Sequence, residues 1–473
     1  MDSGSEQART THARQPTSTS DVRPLSGSAS FSVAEGQPPQ LVTGHAGDHA
    51  LVYSLLRAVN QAPAQEDFIS WMDEPSYEPS DRLLVKHGEQ IVGHAQLLHR
   101  TASFHGIRLP VAGMQDLAVL PEYVPAGYER LLIDAAERVM REGRAVVSLV
   151  RTERPEPLIS CGWAEVRVPG YSRACVGDVL AHLSAQRRQG GVAGNRESDR
   201  AMAVGAFSRR SAALAIRRWR HVELRSVRTV YDAVLDDRWG ALCRTDQYWQ
   251  WLVGRSAHSG LIVAVQDDEE LSDSEAESRI VGYAVTHGSQ VLELCCWPGF
   301  ARAAPRLLAR ACQDAIERDY HTISLHTPAC DPLHELMVTA GGTWCTDRGA
   351  GGVLLVKLLD PPRCIEAMFP LLRRRAKTAG IARPCHVGFD VDSKRWRLNL
   401  TRRSSRLIED DAAVPDVLCD RAAFADLLTC NLETAELLNK IRPVRANDGL
   451  IDKLAALFPP ALFWQSQFDA LRF

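Results

Sequence analysis

The segment that most constrains this chain is residues 114–140, where a buried strand, a tight turn and a long amphipathic helix follow one another. The strand ends at Pro121, because proline cannot donate a ladder hydrogen bond. Beyond Gly127, apolar residues recur at helical spacing. A strand that enters a helix through a glycine turn gathers free backbone N–H groups at the helix N-terminus, where the helix dipole also attracts phosphate. The segment therefore predicts a phosphate-binding turn.

The length and net charge of the chain limit the number of domains and the kinds of partner that we expect. A chain of 473 residues is too long for one hydrophobic core and predicts about three domains. A net charge of −3 gives no reason to expect nucleic acid or an anionic membrane as partner. No apolar run is long enough to cross a bilayer or resembles a signal peptide, so we expect a cytoplasmic protein.

Cysteine and histidine spacing speaks against a metal site. The twelve cysteines contain no C-x-x-C pair, and the fifteen histidines contain no H-E-x-x-H spacing. Buried free thiols are the expected state, since cysteine packs as a small hydrophobic residue. The sequence therefore predicts no bound metal and no disulfide framework.

The order of strand and helix patterns predicts an α/β (α+β) fold with mixed sheets. The strand–turn–helix order of residues 114–140 returns at 292–316, which indicates that one architecture occurs twice. We therefore expect a first unit at 38–185 and a second, degenerate unit at 201–360.

Three further segments complete the organisation. Residues 1–37 lack apolar periodicity and are expected to be a disordered tail. A glycine-rich, charged stretch predicts a linker at 186–200. A small α+β unit is predicted at 361–473, with a hairpin around Asp392. Its last residues are rich in Phe and Trp, so we expect the C-terminus to be docked rather than free.

The turn after Pro121 resembles the cofactor cradle of the GNAT acyltransferases, which bind acetyl-CoA. That cradle has a proline ending the strand, then Gln/Arg-x-x-Gly-x-Gly/Ala, then paired leucines. The positions that keep this pattern are Pro121, Gly127, Leu131 and Leu132. Val124 replaces Gln/Arg, and Glu129 replaces the last Gly/Ala, which would bring a carboxylate near the pyrophosphate. An ordinary β–α unit is the alternative interpretation of this segment.

A second segment extends the resemblance to the whole chain from about residue 41. The family spacing Gly-x-x-x-Arg-x-Asp-x-x-Trp is kept by Gly240, Arg244, Asp246 and Trp249. Together with the ending at 456–459, this resembles the enhanced-intracellular-survival (Eis) acetyltransferases. Those proteins have two tandem GNAT-like domains and a small domain like a sterol carrier protein. The resemblance implies a homo-oligomer, a hexamer in that family.

The resemblance also implies where acetyl-CoA would bind. Backbone groups of Leu117 and Val119 would contact the pantetheine arm, and the turn would face the pyrophosphate. A backbone N–H left free where two strands splay apart would polarise the thioester carbonyl. The implied cofactor-binding residues are Leu117, Ala118, Val119, Val124, Pro125, Ala126, Gly127, Tyr128 and Glu129.

Catalysis further needs a base for the attacking amine and benefits from an acid for the departing thiolate. In the family the base is the terminal carboxylate, here that of Phe473, while Asp469 and Asp116 are further candidates. The acid is usually a tyrosine before a Gly-aromatic pair, but Leu158 holds that position and cannot donate a proton.

Two functions remain open on these residues. The first is an acetyl-CoA-dependent N-acetyltransferase that acts on a primary amine, in a small molecule or a peptide, by direct transfer in the first unit. The alternative is a catalytically impaired GNAT-fold protein that serves as an acyl-CoA or ligand-binding module. A lipid-binding role of the last unit is a third, weaker interpretation, because no residue there argues for a tunnel.

Overall fold

The computed structural model describes residues 39–167, 170–193, 214–255, 258–266, 279–346, 352–410, 414–433, 436, 439–444 and 449–469. The predicted tail at 1–37 lies outside the described residues, as does the second half of the predicted linker, 194–200. The first half of that linker belongs to a helix that begins at Val176. The linker prediction was wrong there, because the helix continues past the glycines that suggested a break.

The described residues form three sheets with helices on their faces. The strands are β1 (Gln40–Thr43), β2 (Arg82–His87), β3 (Gln90–Phe104), β4 (Ile107–Val119), β5 (Val147–Thr152), β6 (Ala164–Val166), β7 (Tyr171–Cys175), β8 (Leu214–Arg218), β9 (Trp239–Leu242), β10 (Gly260–Gln266), β11 (Arg279–His287), β12 (Gln290–Cys296), β13 (Thr322–Leu325), β14 (Thr343–Cys345), β15 (Val353–Leu358), β16 (Cys385–Val391), β17 (Lys394–Leu400), β18 (Ser405–Glu409), β19 (Val417–Cys419) and β20 (Arg442–Pro443). The helices are α1 (His49–Ala58), α2 (Gln65–Met72), α3 (Tyr128–Glu142), α4 (Glu156–Ser160), α5 (Val176–Ala193), α6 (Leu224–Leu235), α7 (Asp246–Gly254), α8 (Ala303–Ile316), α9 (Pro332–Thr339), α10 (Pro361–Thr378), α11 (Arg421–Leu428) and α12 (Leu450–Leu457). The mixed α/β class predicted from the sequence is confirmed.

The first sheet has the strand order β1-β2-β3-β4-β5-β15-β6, and β9 pairs with the far end of β3. Helix α3 covers one face, where Gly93 has no side chain and Leu132 fills the space. Neighbouring residues on a strand face opposite ways, so His94 lies on the other face, together with Arg82. Helix α2 covers that second face, since its Phe68 contacts the Arg82 guanidinium. The sheet is therefore enclosed on both sides.

The second sheet repeats this plan with the order β14-β7-β13-β12-β11-β10-β8. Helix α8 packs on one face, and α6 and α7 cover the other. As in the first unit, a strand, here β12, runs through a turn into an amphipathic helix. The internal repetition of architecture predicted from the sequence is present.

Two strands cross between the sheets. Strand β7 pairs with β13 and β14 of the second sheet, although it precedes the predicted boundary at residue 185. Strand β15 is inserted between β5 and β6 of the first sheet, although it precedes the boundary at 360. The predicted unit 38–185 and the predicted unit 201–360 therefore do not coincide with the two sheets. Apolar runs such as 353–358 specify a strand but not its partner.

The third sheet has the order β18-β17-β16-β19-β20. Its predicted hairpin joins β16 to β17 through Asp392 and Ser393, with φ of 48° and 70°. Two positive φ angles are typical of the type I′ turn of tight hairpins. Helix α10 packs between this sheet and the first one, so that the two share one hydrophobic core.

The C-terminal segment is docked, as predicted, up to the last described residue. Phe463, Trp464 and Phe468 are buried. The backbone N–H of Trp464 donates to the backbone carbonyl of Trp239 at 2.8 Å. The Phe463 ring occupies the space where Gly240 has no side chain. This part of the C-terminal segment is thus held against β9, where the first and second units meet.

Candidate active site

Strand β4 carries a β-bulge at the start of the predicted cofactor segment. Its register with β3 slips between His94 and Gln96, so that Asp116 and Leu117 lie opposite a single residue. Asp116 has a φ of 53°, in the left-handed region that aspartate enters more readily than most residues. A bulge bends its strand and increases the local twist. The end of β4 is therefore turned relative to its neighbours.

On its other side β4 separates from β5. The parallel pairing runs from Val111, opposite Val147, to Gly113, opposite Leu149, and stops there. Strand β4 continues for six more residues, whereas β5 pairs along its length with β15. A gap therefore opens between β4 and β5 beyond Gly113. This gap is the feature that the acyl-transfer hypothesis required.

The ladder with β3 shows which backbone groups face the gap. The Leu120 N–H donates to a β3 carbonyl at 2.9 Å. Amides alternate in direction along an antiparallel strand, so the Ala118 amide also faces β3. By the same alternation, the amides of Leu117 and Val119 point away from β3 and toward the gap. Of the three predicted strand contacts, two face the gap and Ala118 faces the sheet.

The turn after β4 ends at Gly127, whose φ of 80° lies in the left-handed region. A 3-10 helix, Pro121–Ala126, precedes it, and α3 begins directly after it. Val124 and Ala126 are half-buried and Pro125 is exposed. Tyr128 is fully buried, and its ring lies 5.8 Å from that of Tyr123. Pro121 and Glu122 of the same turn are also exposed, and the helix that follows, four turns long, adds its N-terminal amides.

Glu129 is compensated in the structure. Its Oε1 lies 3.3 Å from Nη2 of Arg154, which follows β5 on the other side of the gap. The sequence alone predicts an uncompensated carboxylate here and gives no indication of the contact with Arg154. Its only signal was a basic residue just after an apolar strand, which is too common to predict a contact. The ion pair weakens the electrostatic objection to a bound phosphate.

Leu158 has no catalytic capacity in its position. It belongs to α4 and is 1% exposed, within the core that also holds Trp163. Tyr171 lies on β7 in the second sheet, and its ring stacks on that of His326 with the ring centroids 4.8 Å apart. Neither Leu158 nor Tyr171 therefore supplies an acid at the gap between β4 and β5.

Asp116 is the acidic candidate that the structure places at the gap. It is half-buried and sits in the bulge next to Leu117. Its backbone carbonyl lies 2.8 Å from Nδ1 of His94. Sequence analysis did not single out His94, although a histidine and a glutamine, Gln96, interrupt an otherwise apolar strand there.

Asp469 is buried, with 2% of its surface exposed. Its Oδ1 accepts from Nε of Arg244 at 2.6 Å, and Arg244 also donates to both carboxylate oxygens of Glu293 at 3.0 and 2.6 Å. Desolvation raises the pKa of Asp469, while the Arg244 charge acts to lower it. To act as a base, Asp469 would have to leave this ion pair. Phe473, the other C-terminal candidate, lies outside the described residues.

The ion pair sits where the first and second units meet. The Tyr248 hydroxyl donates to the Asp469 carbonyl at 3.0 Å. The Tyr248 ring also lies 5.3 Å from the guanidinium of Arg100 on β3. Close by, the Trp251 indole donates to the Ser70 carbonyl in α2 at 2.9 Å. The C-terminal segment therefore ends its described course beside α7, which contacts α2 of the first unit.

Comparisons with known proteins agree with this geometry. Residues 44–165 match the profile of the family described as acetyltransferase (GNAT) domain. The whole chain is similar in structure to a GCN5-related N-acetyltransferase from Kribbella flavida, with 17% identity, a TM-score of 0.67, and coverage of 92% of this chain and 99% of that chain. A GCN5-related N-acetyltransferase from Anabaena variabilis gives 12%, 0.64, 90% and 99% for the same quantities.

A third solved structure, Eis1 from Mycobacterium abscessus, has 15% identity and a TM-score of 0.57, with coverage of 90% of this chain and 98% of that chain. No curated protein sequence matches the chain. Residues 44–165 thus match a GNAT acetyltransferase domain, and the fold of the whole chain is that of the GNAT-related structures. The GNAT part of the resemblance seen in the sequence is thereby confirmed.

Neither a membrane-spanning helix nor a metal-binding cluster occurs among the described residues. No helix among them is both long and apolar enough to cross a membrane. No group of His, Cys, Asp and Glu side chains within the described ranges could hold a metal ion, and the twelve cysteines are free thiols.

Proposed function

We propose that the protein is an acetyl-CoA-dependent N-acetyltransferase that transfers the acetyl group directly to a primary amine in the first unit. The observation that supports this most is the gap between β4 and β5. Leu117 and Val119 direct amides into it, and the turn at Gly127 lies at its end. Backbone N–H groups inside a sheet are normally paired, because a buried N–H without an acceptor costs free energy. Amides that face a gap are therefore suited to donate hydrogen bonds to a ligand.

The residues present fit acetyl-CoA. The Val119 amide would hold the pantetheine arm, and the amides that follow Gly127 would hold the pyrophosphate. Arg154 neutralises Glu129 at that point. Bound acetyl-CoA supplies an activated thioester. The Leu117 N–H would donate to its carbonyl oxygen and stabilise the negative charge that develops there during transfer.

Proton transfer is the least equipped step. We infer that a carboxylate accepts the proton of the amine, either the terminal carboxylate of Phe473 or that of Asp116. The ion pair of Asp469 makes it an anchor for the C-terminal segment rather than the base. With Leu158 in the core, no tyrosine serves as acid, and we expect a rate lower by roughly 10²–10⁴-fold than with an acid in place.

The other units serve as framework in this proposal. The face of the second sheet that α6 and α7 cover corresponds to the α2-covered face of the first sheet. It holds the buried Arg244–Glu293 pair and Phe468 of the C-terminal segment. We therefore propose that the second unit is a degenerate GNAT-like unit and that the third is sterol-carrier-like, as in the Eis acetyltransferases. We also propose that the protein forms a homo-oligomer, a hexamer by the same resemblance. Asp73 and Glu78, exposed acids in the segment after α2, would suit a cationic amine, whereas Glu74 is buried in an ion pair with Arg100.

Calorimetry and a thiol-release assay test the proposal. Acetyl-CoA should bind, and at least one of a panel of polyamines, aminoglycosides and lysine peptides should release free CoA. Gly127→Ala should weaken binding, because a Cβ strains the left-handed turn. Gly299→Ala is the matched control, since Gly299 has a φ of 87° in the equivalent turn of the second unit. Absence of acetyl-CoA binding would refute the proposal.

A ligand-binding module without turnover is the second candidate. The apolar residues Leu158 and Val124 favour it, because both replace polar side chains of the family. Binding of acetyl-CoA with no thiol release on any amine would establish this function instead.

A further inference from the structure

The direction of the Leu117 amide depends on one peptide unit. The carbonyl of Asp116 and the N–H of Leu117 belong to the same peptide, and in a trans peptide these two groups point in opposite directions. Nδ1 of His94 lies 2.8 Å from that carbonyl oxygen. The His94 side chain stands on the face of the sheet that α2 covers, so this contact holds the Asp116 carbonyl toward β3 and toward that face. The Leu117 N–H is thereby turned toward the gap.

Arg82 determines which nitrogen of His94 is the donor. Nη1 of Arg82 lies 2.9 Å from Nε2 of His94. A guanidinium can only donate, so Nε2 accepts and the ring proton resides on Nδ1, which donates to Asp116. Both side chains are buried, with 1% and 0% of their surfaces exposed. Burial, followed by the charge of Arg82, lowers the pKa of His94 to about 3, so the imidazole stays neutral.

The guanidinium of Arg82 is itself held in place. Its Nε donates to the Tyr77 hydroxyl at 2.9 Å, and that hydroxyl lies 2.6 Å from Nε2 of His49. The rings of Phe68 and Tyr77 lie 5.1 and 5.4 Å from the guanidinium carbon. No carboxylate among the described residues forms an ion pair with Arg82. A buried cation without an acid is costly, so stability alone gives no reason for this residue here.

We propose that Arg82 and His94 are positioning residues, which orient the Leu117 amide toward the acyl oxygen of the bound thioester. This inference rests on the proposed acetyl transfer. It assigns His94 no contact with substrate and no proton transfer. Its effect is to pre-orient one donor, so that no reorganisation is needed when charge develops.

The amide can be observed directly. The dipeptide Asp-Leu occurs twice in the chain, at 116–117 and 426–427. Protein labelled with ¹³C-carbonyl aspartate and ¹⁵N-leucine therefore gives two cross-peaks in a carbonyl-filtered spectrum. In His94→Leu without any ligand, we expect the Leu117 peak to move. The Leu427 peak, from α11 in the third unit, should stay and acts as the internal control.

Kinetics provides the second readout. His94→Leu should lower kcat about 10²–10³-fold, the usual effect of losing one such donor. The KM for acetyl-CoA and the binding of CoA, which has no acyl oxygen, should not change. His94→Asn places an amide nitrogen near the position of Nδ1 and should restore most of kcat. His94→Gln reaches the position of Nε2 instead and should not.

Several outcomes would overturn the inference. They are an unmoved Leu117 peak, an unchanged kcat in His94→Leu, or equal kcat values for His94→Asn and His94→Gln. The last comparison decides the matter if His94→Leu does not fold. If the wild-type protein does not bind acetyl-CoA, the proposed function fails, while the Leu117 peak still shows whether His94 orients the amide.

Discussion

At the scale of single residues, His94 sits between a permanent cation and a backbone carbonyl, on a strand whose other buried residues are mostly apolar. Its ring must stay neutral to accept from Arg82 and donate to Asp116 at the same time. A neutral buried histidine makes the folded state sensitive to acid, since the unfolded chain takes up a proton that the folded chain refuses.

We expect this sensitivity to be measurable between pH 7 and pH 5. The pKa of His94 is about 3 in the folded protein against 6.5 ordinarily, so unfolded chains bind more protons in this window and stability falls as pH falls. The His94 share of this loss between pH 7 and pH 5 is about 2 kcal/mol. In urea unfolding at both pH values, His94→Asn should lose about 2 kcal/mol less than the wild type.

The comparison isolates His94 because other buried histidines titrate in both proteins. The pKa values of His49, His258 and His334 are also lowered by burial. An equal loss of stability in wild type and variant would contradict the assignment.

Arg154 gives a second prediction at this scale. Without it, the Glu129 carboxylate at the start of α3 would repel a bound pyrophosphate. Arg154→Ala should weaken acetyl-CoA binding by about 1 kcal/mol, or roughly fivefold, in calorimetry. The double variant Glu129→Gln, Arg154→Ala should recover most of this loss.

The control for Arg154→Ala is Arg130→Ala. Arg130 is an exposed arginine next to Glu129 in the first turn of α3, and it pairs with Asp134 and not with Glu129. Equal effects of the two substitutions would show that only the general positive charge matters.

At the scale of elements, the site arises where β4 bends and β5 does not follow. The pairing of β4 with β5 ends at Gly113, the bulge at Asp116 turns the rest of β4, and β15 pairs with the other edge of β5. The C-terminal segment packs instead on β9, which pairs with the end of β3 that lies far from the bulge. There Gly240 combines a φ of 86° with direct contact to Phe463.

Gly240→Ala should loosen the C-terminal segment. A Cβ there would lie 2.5 Å from Cδ1 of Phe463, and the left-handed backbone disfavours any side chain. We expect a loss of about 1–3 kcal/mol in the free energy of unfolding, and faster hydrogen exchange in residues 461–469.

Gly254→Ala serves as the control, because nothing lies within 4 Å of its added Cβ and it ends a helix. If both variants exchange alike at residues 461–469, the close packing of Gly240 does not hold the segment.

At the scale of the whole molecule, the units are joined by shared strands and by one buried charge cluster. Strands β7 and β15 each complete a sheet that begins elsewhere in the chain. Arg244 pairs with Glu293 of the second sheet and Asp469 of the C-terminal segment, and all three are buried. The Arg244 guanidinium also lies 4.1 and 4.5 Å from the rings of Tyr231 and Trp249.

Arg244→Met should destabilise the protein strongly. It leaves two buried carboxylates without a cation, which costs about 3–5 kcal/mol. Thermal unfolding and urea titration measure the loss. Arg225→Met, at an exposed position of α6, should stay within about 0.5 kcal/mol of the wild type. A loss below about 1 kcal/mol for Arg244→Met would show that the cluster does not hold the segment in place.

Much of the fold followed from local patterns. The strand, turn and helix of residues 114–140, the hairpin at Asp392 and the docked aromatic ending were all predictable. Periodicity and turn residues act over a few positions, and the sequence displays them directly. The same locality explains the errors, since neither the exchange of β7 and β15 nor the helical start of the predicted linker leaves a local trace.

The site divides along the same line. By itself, the sequence determined that a proline-ended strand would meet a glycine turn and a helix N-terminus, because backbone chemistry there depends on neighbouring residues only. The tertiary structure alone decided that β4 and β5 separate, that Arg154 forms an ion pair with Glu129, and that His94 contacts the Asp116 carbonyl. Each of those contacts joins elements distant in the chain, and long-range packing sets their geometry.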